Sequence, residues 1–210
     1  MTTLSDFYAL ISAEVNKGTR FDATIPQKVK QAVQFFERNY SFAYMEASLE
    51  YTISATANPA RRADLPSRFK LPIWHRYKKD DGSLIYLSQV SGEDVSKHED
   101  KAPTGYWIEG RSYIWFDNQT DEDLSAEFYH YAFSDYTSWS PATENLWLID
   151  NAEALVIAQT MVYLAPTARE SGWIEAYGGM VQTELNTTIR LDEDLRSADA
   201  DLFMNYGRVR

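Results

Sequence analysis

The sequence predicts an α+β protein. A helical core comes from the two ends of the chain, a mostly antiparallel β-sheet of about five or six strands is inserted between them, and an extended arm closes the C-terminus. Three observations carry this. Apolar residues recur at helical spacing in two early segments and again after residue 150. Residues 46–135 alternate with a period of two and are broken by Gly, Pro, Asn and Asp. After residue 196 the pattern ends in a short mixed tail.

The first helix is expected over 4–17, with Leu4, Phe7, Tyr8, Ile11 and Val15 on one stripe, Thr3 as its cap and Gly18 at its end. The second is expected over 25–40. Thr24 and Gln27 are spaced as a capping box, and Ile25, Val29, Ala32, Val33 and Phe36 form its stripe. In "ASLEYTISATA", Leu49, Tyr51 and Ile53 alternate with Glu50, Thr52 and Ser54, which reads as a half-buried strand ended by Asn58-Pro59. "RFKLPIWHRYK" and "SLIYLSQV" read as a hairpin about the turn Asp80-Asp81-Gly82-Ser83. "GEDVSKHED" reads as a polar loop or short helix, and "GYWIEG", "RSYIWFDN" and "SAEFYHYAF" as three further strands.

In the last of these, Glu127, Tyr129, Tyr131 and Phe133 alternate with Phe128, His130 and Ala132. Neither set is cleanly polar, so the strand is expected to be covered on both faces. A helix over 151–165 follows Asp150 and Glu153 as its cap and capping partner, is apolar nearly all round, and is ended by Pro166. A last helix over 172–190 carries Trp173, Ile174, Tyr177, Val181 and Leu185, and Gly178-Gly179 inside it suggest a close backbone approach or a kink. Residues 1–196 are thus expected as a single domain and 197–210 as the arm.

Composition narrows the function classes. The chain has 44% hydrophobic residues, enough for a core, and a net charge of −11, a poor basis for general nucleic-acid binding. With no cysteine, thiolate catalysis, disulfides and Cys-based zinc sites are excluded. No apolar run of membrane-spanning length and no signal peptide are expected. Against the acidic background, Arg61, Arg62, Arg68, Lys70, Arg76, Lys78 and Lys79 cluster in one run with only Asp64 opposing them, a candidate charged docking surface.

Motifs for chemistry are few. His75, His98 and His130 lie far apart with no ligand-like neighbours, and no nucleophile elbow, phosphate loop or dinucleotide fingerprint is present. No metal or cofactor is expected. Glu109 and Glu127, in aromatic strands, are the carboxylates an enzyme reading would choose. With Trp107, Trp115, Trp139 and Trp147 they motivate one alternative, a carbohydrate-binding module or cell-wall hydrolase. A bacterial scaffold or regulatory protein is another.

The order of several strings resembles the tailed-phage head-to-tail connector family, the adaptor or head-completion proteins. The resemblance runs nearly end to end: "TTLSDFYALISAEVNK", "FFERNYSFAYMEASLEYTI", "LPSRFKLPIWHRY", "AEFYHYAFSDYTSWSPATENLWLIDNAEALVIAQTMVYLAP" and "WIEAYGGMVQTELNTTI", in that order. The loop "SGEDVSKHEDKAPTG" is compatible with the short helix the family has there, and the basic run 61–79 is heavier than the family leads one to expect.

The resemblance implies a structural virion protein made in the host cytoplasm and placed at the head–tail interface, with no cofactor and no turnover. Its partners would be the portal protein, tail or stopper proteins, and itself as a ring of about twelve copies, whose contacts must be heterologous and close. Genomic DNA would pass non-specifically through the channel, helped by an acidic lining. Tyr129, Tyr131, Phe133, Trp147 and Tyr163 are the expected ring-interface residues. Leu202, Phe203, Met204, Tyr206, Arg208 and Arg210 are expected to dock the arm on the portal.

Overall fold

The structure, a computed structural model, describes residues 3–56, 61–91, 102–137, 139 and 147–206, the last nine of these by their backbone alone. It is an α+β protein with five α-helices and two four-stranded, mainly antiparallel sheets among the described residues. The chain forms two compact units, one of Met1–Tyr44 with Asp135–Arg210 and one of Met45–Ser134.

In the helical unit, α1 spans Leu4–Val15, two residues shorter than predicted. Thr3 and Asp6 close a capping box at its start, and Asn16 ends it in the left-handed conformation, before Gly18 is reached. A 3₁₀ turn, Gly18–Phe21, leads to α2, Ile25–Asn39. Thr24 makes no side-chain cap there, because its backbone is already helical and turns the hydroxyl away from the free amides. The α2 stripe of Ile25, Val29, Ala32, Val33 and Phe36 is buried as the spacing predicts.

The helix expected over 151–165 is two: α3, Trp147–Asn151, and α4, Glu153–Ala168. Asp150 lies inside α3 and Ala152 makes the break, so Asp150 does not cap α4. Pro166 does not end α4: it lies inside the last turn, at the cost of one backbone hydrogen bond, and the helix stops three residues later where Arg169 adopts the left-handed cap. Leu155, Val156, Ala158, Met161, Leu164 and Ala165 are buried, and α4 contacts both α2 and α5.

The last helix and the arm are one element: α5 runs unbroken over Ser171–Tyr206, 36 residues. Nothing between Met180 and Tyr206 is a Gly or Pro, and once a helix is nucleated each added residue gains a backbone hydrogen bond whether or not it is apolar. Gly178 and Gly179 have nothing within 4 Å of where a Cβ would stand, so no close backbone approach occurs there. Arg208 and Arg210 lie outside the described residues, as do His98 and the whole of 92–101.

The β unit holds two sheets in place of the one predicted. Sheet 1 has the order β1-β8-β3-β4, from Glu46–Ile53, Leu124–Ala132, Phe69–Lys78 and Leu84–Tyr86; sheet 2 has β2-β7-β6-β5, from Arg62–Asp64, Tyr113–Phe116, Gly105–Glu109 and Ser88–Gln89. The predicted hairpin is present as β3 and β4, with Gly82 at φ +84° and the Lys79 amide bonded to Ser83 O. The second arm of that hairpin then changes sheet. Leu87 N donates to His75 O in sheet 1, and the next residue, Ser88, pairs with Gly105 in sheet 2. A Cβ on Gly105 would stand 3.0 Å from Val90 Cγ1 and 3.3 Å from Ser88 O, so any larger residue in this parallel pairing would have to displace its neighbours by a few tenths of an ångström.

Ile53, Tyr77, Leu124, Ala126 and Phe128 of sheet 1 and Tyr106, Ile114 and Phe116 of sheet 2 belong to one buried cluster. Strand β8 corrects the expectation of two covered faces. Phe128 and His130 are buried, but Glu127, Tyr129 and Tyr131 on the other face are only half-buried. Their polar tips meet solvent and charged partners while the ring bodies cover the sheet.

Candidate functional site

The outer face of sheet 1 is built from register. β8 places Tyr131, Tyr129 and Glu127 in a row, opposite Glu46, Ser48 and Glu50 of β1 and opposite Leu71, Trp74 and Arg76 of β3. Bulges between Phe69 and Leu71 and between Pro72 and Trp74 keep both Leu71 and Trp74 on this face and leave Ile73 exposed. Tyr129 stacks on Trp74 with ring centroids 5.0 Å apart, and the Arg76 guanidinium lies 4.4 Å over the same indole. Arg76 donates to Glu127 Oε2 from Nε at 2.9 Å and Nη2 at 2.6 Å, and to Tyr86 OH at 3.2 Å. Tyr129 OH donates to Glu46 Oε2 at 2.7 Å.

This ladder bears on sugar binding. Stacking on a pyranose needs an open ring face, and Trp74 has Tyr129 and Arg76 over it. Trp107 and Trp115 stack on each other, and the Trp115 indole donates to Glu109 at 2.6 Å. Trp147 stacks on Tyr44 at 5.1 Å. The two carboxylates of the enzyme reading are thus engaged with neighbours, Glu109 by Trp115 and Glu127 by Arg76.

The predicted ring residues separate into two sets. Tyr129, Tyr131 and Phe133 lie on or just after β8 in the β unit; Trp147 opens α3 and Tyr163 lies half-buried on α4 in the helical unit. The basic run is likewise divided. Arg61 donates to Asp117 O at 3.4 Å and Arg62 lies 4.1 Å over Tyr113, both in sheet 2. Arg68 and Lys70 stand at the start of β3, whereas Arg76, Lys78 and Lys79 sit toward its hairpin end. Leu202, Phe203, Met204 and Tyr206 lie on the α5 backbone.

In the helical unit, Leu10, Phe35, Ile174, Met180, Leu191 and Leu195 are large apolar residues left 37–48% exposed. In the same unit, a groove of about 560 Å³ is lined by small or slender α1 residues, among them Ser5, Ala9, Ser12 and Ala13.

A buried carboxylate lies in the same unit. Glu37 of α2 has no exposed surface; it accepts from Tyr44 OH at 2.9 Å on Oε1 and from Tyr136 OH on Oε2. Burial first, and the Glu37 charge second, push both phenols well above the ordinary tyrosine range. Asp192 and Arg196 of α5 form a second polar group. Asp192 Oδ1 accepts from Ala43 N at 2.6 Å, Oδ2 accepts from Arg196 Nε at 2.9 Å, and Arg196 Nη2 donates to Ser41 O at 2.6 Å.

His75 and His130 are buried in the β unit. His75 Nε2 is hydrogen-bonded to Tyr51 OH, and desolvation lowers its pKa to about 3. His130 is lowered too, by desolvation opposed by the Phe128 carbonyl. Neither presents a base to solvent. Among the described residues no group of three or more His, Asp or Glu could hold a metal ion, and no helix is long and apolar enough to cross a membrane.

Sequence reasoning passed over Glu37, Trp74, Glu46 and Asp192. For Glu37 a signal exists: it follows Val29 and Val33 at intervals of four, on the apolar stripe itself. The spacing of Asp192 and Arg196 reads as an i,i+4 pair. The Trp74 ladder depends on strand register across bulges, for which the sequence carries no local signal. Compared with models of known protein families and with curated proteins, the chain matches none.

Proposed function

We propose that the chain is a structural subunit of a closed protein ring, an adaptor that docks beneath a phage portal, joins head to tail and helps retain the packaged DNA. The observation that carries this reading is the uncovered apolar surface of the helical unit. Ile174, Met180, Leu191 and Leu195 stand exposed along α5, with Leu10 and Phe35 on α1 and α2. Exposed large apolar residues in such number favour burial against another chain.

A ring requires two unlike surfaces on each subunit. The projecting side chains and the groove lined by Ser5, Ala9 and Ala13 are surfaces of opposite shape. The order of strings quoted above supplies the phage context, and a helix as long as α5 suits an element that reaches toward a partner. The sugar-binding alternative has less support, since Trp74 and Trp147 are stacked by neighbouring side chains.

The test is the mass of the purified protein, alone and mixed with the portal ring of its own genome, by mass photometry. A species heavier than the portal by about twelve subunits supports the adaptor reading. A chain that stays monomeric and ignores the portal overturns it.

A further inference from the structure

The chain crosses between its two compact units twice, leaving the helical unit after Tyr44 and re-entering it at Asp135. The residues on the helical side of these crossings are tied to one side chain. Tyr44, the last residue before the first crossing, and Tyr136, the second after the return, both donate their phenols to Glu37. Lys30 of α2 adds a 2.9 Å hydrogen bond to Tyr136 O, and Trp147 stacks on Tyr44. Two chain segments far apart in sequence therefore share one buried anchor, and loss of one phenol leaves the carboxylate less satisfied for the other.

The first crossing has a further tie, and this one comes from α5. Asp192 accepts from the Ala43 amide and Arg196 donates to the Ser41 carbonyl, with the two side chains bonded to each other. The strap Ser41–Ala43 makes neither helix nor sheet bonds over its first residues, so these side-chain bonds satisfy backbone groups that water would otherwise take. Arg196 sits only ten residues from the end of α5.

We propose that α5 and Glu37 form a latch on the two crossings. Order in the distal turns of α5 holds Arg196 on the strap, the strap holds Tyr44 on Glu37, and Glu37 holds Tyr136. Binding or release of the helix end at residues 197–206 is thereby converted into a change in how freely both crossings move. The bistable element is the Asp192–Arg196 clasp, and the latch stands whether or not the chain is a phage adaptor.

Amide hydrogen exchange of the full chain, read by mass spectrometry, tests this. The variants are Arg196→Ala and a chain ending at Ser197, whose last helical turn would fray over the clasp. Both are expected to speed exchange about tenfold over residues 40–46 and, through Glu37, over 135–139, with the β3 and β8 amides unchanged. In a Glu37→Gln background, Arg196→Ala should still loosen 40–46 but lose its effect on 135–139. Faster exchange confined to 40–46 in the Glu37 chain overturns the latch, as does no change at either crossing.

Discussion

The phenol of Tyr44 donates a 2.9 Å hydrogen bond to Oε1 of Glu37, a carboxylate with no exposed surface. Because Tyr136 donates to the other oxygen, replacing Glu37 by Leu leaves two largely buried phenolic donors without their acceptor. Each unsatisfied donor costs about 1–3 kcal/mol, so Glu37→Leu is expected to lower the stability of the helical unit by about 3 kcal/mol or more. Glu37→Gln keeps one acceptor oxygen and should cost about 1 kcal/mol. Urea unfolding followed by helix ellipticity measures both. Equal, small losses for the two variants would contradict the anchoring role.

His75 makes the β unit sensitive to acid. Its folded pKa is about 3 against 6.5 for the free side chain. Above pH 6.5 the ring is neutral in both states and has no effect on the pH dependence. Between the two values the unfolded chain binds a proton that the fold refuses, so stability falls as pH drops and levels off only below about 3. Moving from neutral pH to about pH 5 is expected to cost about 2 kcal/mol from this group alone. His130 acts in the same direction. The double variant His75→Phe, Tyr51→Phe removes the proton site without orphaning the phenol. Its unfolding midpoint should shift less between the two pH values than that of the parent chain; an equal shift would assign the acid sensitivity elsewhere.

Arg76 is the centre of the sheet 1 ladder, a quarter exposed, paired with Glu127 and stacked on Trp74. A lysine can neither donate twice to one carboxylate oxygen nor lie flat on an indole. Arg76→Lys is expected to cost about 1 kcal/mol, with part of the effect lost at high salt, because an exposed ion pair is screened while ring contact is not. Denaturation of parent and variant at low and high salt checks this, and a loss fully abolished by salt would mean the stacking contributes nothing.

What the sequence discloses follows from the range of each interaction. Helix α2 was legible because the contact that buries Ile25, Val29, Val33 and Phe36 repeats along the helix itself. The hairpin at Gly82 was legible because the turn and both strands are local. The division into two sheets was not, since it depends on which distant strand Ser88 chooses after Leu87 has bonded to His75. The two faces of β8 were indistinguishable by apolarity, as Phe128 and Tyr129 are both aromatic; what separates them is that Tyr129 has a hydroxyl and Glu46, diagonally across on β1, to receive it. The distal part of α5 was read as an arm because the stretch after residue 196 is short and mixed in character, whereas it simply continues the helix that begins at Ser171. Of the site, the apolar content of α5 was visible, but which of Ile174, Val181 and Leu185 would remain exposed was not.

Gly178 and Gly179 separate the isolated chain from an assembled one. Each lies inside α5 at ordinary helical φ, with nothing within 4 Å of a Cβ position. In the chain alone, alanine at each should stabilise the helix by about 1 kcal/mol through reduced backbone entropy. Exposed Ile174 and Met180 flank the pair, so a neighbouring subunit packing there would meet bare backbone. Under the ring reading, Gly178→Ala with Gly179→Ala raises the thermal midpoint of the isolated chain by a few degrees. The bulkier Gly178→Leu leaves the isolated chain folded and weakens assembly, because its side chain occupies the space a partner would fill. Calorimetry of the separate chains and mass photometry of the mixture read the two effects independently. Assembly undiminished in Gly178→Leu would remove this stretch of α5 from the ring interface.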